Sequence, residues 1–153
     1  MNDSRAPEST ARVLAEFFSA VDARANRVVR AHAGAVQQHL DVYLDTEAER
    51  VLTTDELALV EAERQIDPVA AVARVTGPEA LVAALPGFVD AAWLLPAQTA
   101  ARAQVRLVEA LVAWLEENRH VDRHAMACFL LEVDAACRRA RSLIAAPAAR
   151  GPG

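Results

Sequence analysis

Two histidines stand where apolar residues belong. His32 and His39 lie seven residues apart on a stripe that otherwise reads Leu14, Phe18, Val21, Ala25, Val28, Ala35 and Val42. The steps along it alternate four and three, the spacing of a heptad seam. Imidazole hydrogen-bonds, titrates near neutral pH and ligates metals. Three roles therefore suit the pair: hydrogen-bonded interior residues, polar register-setters in a dimer seam, or ligands for a metal or haem. On one helix, seven residues rise about 10 Å, so a single ion cannot take both. The dimer seam would comprise Leu14, Phe18, Val21, Val28, His32 and His39, and acidification would loosen it by placing charge there.

A second constellation is Glu117-Asn-Arg-His120, the Glu-x-x-His spacing of di-metal helical bundles. Such a centre needs two copies of the motif, and only one is present. His124 follows at i+4, but Asp122 between the histidines reads as a helix cap and breaks the chelating geometry. Neither metal nor cofactor is expected; if any metal binds, its ligands are Glu117, His120 and His124.

A third group surrounds Asp90, the lone charge between residues 80 and 101. Its bland role is the solvent face of a short helix. Its sharper role is an acid at the mouth of an apolar pocket within 68–115, lined by Trp93 and Trp114, with Arg102 or Arg74 answering it.

Nucleophilic chemistry has little support. There is no Gly-x-Ser-x-Gly, and the apolar neighbours of Cys128 and Cys137 suggest buried, reduced thiols. The two cysteines share a helical segment and sit about 13 Å apart by helical rise, too far for a disulfide. The chain has no lysine, which excludes a Walker-type ATPase and Schiff-base catalysis.

The elements that position these residues read as helices. Alanine occurs 35 times among 153 residues, Ile, Tyr and Thr are scarce so that only Val offers much strand propensity, and strict apolar–polar alternation is absent. The chain reads as an all-α helical bundle in one domain, 9–146, between disordered tails at 1–8 and 147–153. A single long amphipathic helix is expected over 10–45, with Gly34 as its one weak point. Short helices punctuated by Pro and Gly follow: one opened by a Thr53/Glu56 capping box, then 68–77, 78–87 and 88–95. Helices over 97–118 and 122–146 complete a C-terminal antiparallel hairpin.

Net charge is −5, which argues against a nucleic-acid partner. The charge is uneven. Residues 41–67 hold nine acids against two arginines, a balance of −7; residues 119–150 hold six arginines against three acids, +3. These are two solvated faces, or patches that attract each other within or between chains. Pro86-Gly87 and Pro96 interrupt the only weakly charged stretch, so no membrane span is expected. The N-terminal residues lack a basic start and an apolar run, so a cytoplasmic location is expected.

An unbroken N-terminal rod would overhang the C-terminal helices and leave apolar surface bare. A second chain is its simplest cover. The residues therefore favour a non-catalytic helical interaction or regulatory module acting as a homodimer, with itself and another protein as the partners to consider. The alternatives are an accessory protein binding a small apolar ligand in 68–115, and a metal-dependent bundle enzyme.

Overall fold

The heptad stripe is continuous in sequence, but the chain breaks it at Ala25–Asn26. A computed structural model describes residues 8–146 and shows helix α1 from Thr10–Arg24 and α2 from Arg27–Glu47, in place of one expected rod. Asn26 is extended, and its side-chain oxygen accepts a hydrogen bond from Val29 N at 2.9 Å. That N-cap starts a new helix and explains the break. Gly34, the anticipated weak point, lies inside α2, with open space where a side chain would grow. Ser9 caps α1 in the same way through Arg12 N.

A 3-10 turn, Ala48–Val51, leads to α3, Thr54–Ile66, which begins with the anticipated Thr53/Glu56 capping box. Helices α4 (Ala71–Val75), α5 (Pro78–Phe88), α6 (Gln98–Glu117) and α7 (Ala127–Ala145) complete the chain, with no strand among the described residues. No described helix is long and apolar enough to cross a membrane. Residues 1–7 and 147–153, which hold nearly all of both expected tails, lie outside the described residues. Glu8, assigned to the first tail, is ion-paired with His120.

Alternate faces of four helices meet at the centre. Leu14, Phe17 and Phe18 of α1, Leu40 and Tyr43 of α2, Leu81, Leu85 and Phe88 of α5, and Leu111 and Leu115 of α6 are all buried. Each such side chain contributes roughly 1.5–3 kcal/mol on leaving water. Two residues of the expected dimer seam, Leu14 and Phe18, thus belong to the protein's own core, and Val28 is 58% exposed. The other members of the stripe, Val21, His32 and His39, are half-buried.

Helix α5 matches the segment expected over 78–87, with Pro86 in its last turn and its end at Phe88, one residue past Gly87. The glycine is needed for contact: a Cβ at Gly87 would come within 2.3 Å of the Tyr43 hydroxyl, which donates to the Ala84 carbonyl at 2.6 Å. The helix expected over 88–95 is instead a series of turns after Phe88. Helix α4 is also shorter than anticipated. Ala70, with φ 58°, turns the chain into it, and Asp45 accepts from Ala70 N at 2.9 Å.

Helix α6 ends in a Schellman turn. His120 N bonds to Leu115 O at 2.9 Å and Arg119 N to Glu116 O at 3.1 Å. The left-handed position usually given to glycine is Arg119, φ 58°. Asp122 then accepts from His124 N and Ala125 N, which holds its carboxyl below the usual range. It caps this turn and not α7, which starts at Ala127. Gln98 bonds to Ile144 O at 2.9 Å, and Glu116 pairs with Arg123 at 3.2 Å, so the start of α6 lies by the end of α7. Of the two cysteines expected to be buried, Cys137 is, while Cys128 is exposed.

Candidate functional site

The turn from Val89 to Leu95 is held by two polar side chains from neighbouring helices. Gln104 of α6 is fully buried, and its amide nitrogen donates to Phe88 O at 2.9 Å and Trp93 O at 3.0 Å. Its oxygen accepts from Leu95 N at 2.9 Å. Every hydrogen-bonding role but one of that amide is used inside the core. His39 of α2 approaches the same Trp93 carbonyl at 2.6 Å through Nε2. A carbonyl only accepts, so Nε2 is the donor in this contact. His39 is therefore an interior anchor, in line with one of the roles its position allowed. His32, half-buried, makes no such bond.

His39, Tyr43, Phe88 and Trp93 form one ring cluster, with centroids 5.0–5.5 Å apart. Burial pushes the Tyr43 hydroxyl up to about 12, with Glu47 adding to the shift. Outside this cluster opens a cleft of about 490 Å³, lined by Tyr43, Glu47, Arg50, Asp90, Trp93 and Arg139 among others. Arg50 is paired with Glu47 at 2.9 Å, while Asp90 and Arg139 make no ion pair among the described residues. Asp90 and Trp93, two residues of the anticipated pocket, share this cleft.

Trp114 and Arg102, its other anticipated members, do not. Arg102 lines a separate hollow with Arg106 and Arg141. Trp114 borders a groove of about 450 Å³ between α1 and α6, lined by Phe17, Val21, Val29 and Leu107 and by the small residues Ala20, Ala110 and Ala113. Arg106 and Glu117 line it eleven residues apart on α6, and Arg24 borders both this groove and a second hollow that Glu117 also lines. Neither arginine is in an ion pair among the described residues. Arg74, the other candidate to answer Asp90, instead binds Glu63 at 2.9 Å and the Asp67 carbonyl at 2.7 Å.

The residues offered for a metal part company. His120 stacks on Trp114, with centroids 5.0 Å apart, and pairs with Glu8, both side chains nearly buried. Glu117 and His124 are exposed. Among the described residues, no group of three or more His, Cys, Asp or Glu side chains could hold a metal ion.

Sequence reasoning missed the most exposed apolar element. Helix α3 buries only Val60. Leu59, Ala62 and Ile66 share one outward face, and Val69 follows three residues on; Leu59 is 56%, Ile66 83% and Val69 68% exposed. The signal was the 3-4-3 spacing of these four, obscured by the surrounding acids. Compared with known proteins, the chain matches no family model, no curated protein and no solved structure.

Proposed function

We propose that this chain is a non-catalytic helical interaction module that works as an assembly of its own copies. The observation that carries this is the bare face of α3. Three large aliphatic side chains, Leu59, Ile66 and Val69, lie more than half exposed within eleven residues. Single exposed apolar residues are ordinary; Leu59 and Ile66 on one helical face, followed by Val69 in the turn after it, make a surface that association would cover. The assembly begins at a dimer, as the sequence suggested, but through this face and not through an N-terminal rod. Light scattering across a concentration series at tens of micromolar tests it. The wild type should exceed the monomer mass, and Ile66→Asp should return it to monomer. A wild type that stays monomeric throughout would remove the proposal.

A second reading is favoured by the cleft beside Trp93. An exposed carboxylate, Asp90, and an exposed guanidinium, Arg139, line it without ion-pair partners among the described residues, next to an indole face. That suits a small aromatic molecule bearing an amino and a carboxylate group. Tryptophan itself is a convenient probe: it should raise the melting temperature of the wild type and not of Asp90→Asn. No shift at millimolar ligand would dismiss this reading.

A further inference from the structure

Resting on the self-association just proposed, we infer that the contact is head-to-tail, with the α3 stripe of one copy seated in the α1–α6 groove of the next.

Shape is the first argument. The α3 face is convex and carries large side chains, whereas the groove is concave and lined in part by small residues, Ala20, Ala110 and Ala113. Two grooves facing each other would enclose a void, and voids forfeit packing contacts. A ridge entering a groove is how helices pack.

Length is the second. The apolar part from Leu59 to Ile66 spans about 10 Å, and with Asp55, one turn earlier on the same face, the contact face spans eleven residue steps, about 16 Å of helix. From Arg106 to Glu117 the groove wall spans the same eleven steps and the same ~16 Å.

Charge is the third, and it sets direction. The first turn of α3 carries Asp55 and Glu56, neither in an ion pair among the described residues. At its other end Glu63 and Asp67 are answered by Arg74, at 2.9 and 3.8 Å. On the α6 wall of the groove, Arg106, in no ion pair among the described residues, and Glu117 stand eleven residues apart, so that wall is polarised in the complementary sense. Seating the acidic first turn over Arg106 keeps Asp55 and Glu56 away from Glu117. The reverse orientation opposes like charges.

Such a contact is heterologous: each copy offers one stripe and one groove, so growth continues beyond two unless a ring closes. This gives a test that a two-fold dimer cannot pass. Ile66→Asp destroys the stripe and leaves the groove; Ala110→Asp destroys the groove and leaves the stripe. Both positions are exposed, so both variants should fold, which matching circular dichroism and melting curves verify. Each variant alone should sediment as a monomer. Mixed one to one, they should form a dimer and nothing larger, because one intact stripe meets one intact groove. Arg106→Glu should weaken wild-type assembly at least tenfold, and adding Asp55→Arg should restore it.

A mixture that stays monomeric, or an Ala110→Asp variant that still dimerises alone, overturns the head-to-tail contact while leaving self-association standing. A monomeric wild type removes both.

Discussion

Gln104 and Ile66 are each on the wrong side of the surface by polarity, and the fold treats them oppositely. Gln104 is a polar side chain with no exposure at all, yet its amide meets Phe88 O, Trp93 O and Leu95 N. Ile66 is an aliphatic side chain 83% exposed, with no described residue covering it. The difference teaches where to look for function. A buried amide that bonds three backbone groups has its explanation inside the chain. An uncovered apolar stripe has none there, so its explanation is sought in a second molecule.

The largest effect is expected at the node. Gln104→Leu keeps the volume roughly but leaves Leu95 N and Phe88 O without partners, and should cost about 3–5 kcal/mol in urea unfolding. A loss below 1 kcal/mol would mean that water replaces the amide and the region is not sealed.

Alkaline pH should probe the same sealed interior. Burial pushes Tyr43 up to about 12 and Cys137 up to about 11. Both folded values lie above the ordinary values of 10.0 and 9.0, so the folded state holds protons that the unfolded state releases. Their contribution is fully present below pH 9 and is lost as pH rises through 12, with a slope of up to ~1.4 kcal/mol per pH unit for each group. Unfolding at pH 8, 10 and 11 measures this, and Tyr43→Phe with Cys137→Ala should flatten the decline.

Gly87→Ala should cost about 2 kcal/mol through overlap with the Tyr43 hydroxyl. In a Tyr43→Phe background the same change should cost much less, a coupling that a double-mutant cycle reads directly. The smallest effect belongs to the open face: Ile66→Asp should leave monomer stability within ~0.5 kcal/mol. A large loss would show that α3 is packed after all.

The helical class was legible in composition and periodicity, since alanine-rich segments with a 3.6-residue repeat leave little choice. The Thr53/Glu56 start of α3 was legible too, because both partners of the capping box are local. The break at Asn26 was within reach, as Asn is a strong N-cap, but the unbroken apolar stripe on either side concealed it. Residues 88–95 were not legible: their turns depend on Gln104, nine or more residues away, and on His39, more than fifty away. Of the anticipated pocket, Asp90 and Trp93 share a cleft because they are three residues apart on one turn. Trp114 and Arg102 lie twelve apart on α6 and border different hollows. His120 could not be read as a partner of Glu8, because no periodicity links positions so distant.

Arg119 closes α6 in a backbone state that costs a side-chain-bearing residue about 1 kcal/mol. The next residue, His120, presses on Trp114 and thereby fixes one wall of the groove. A glycine at position 119 would remove the penalty but loosen the hinge that carries that wall. The chain has thus accepted a tense corner in exchange for a stiff one, and a stabilised variant made there would be the first place to look for a protein that melts later yet recognises its neighbour less well.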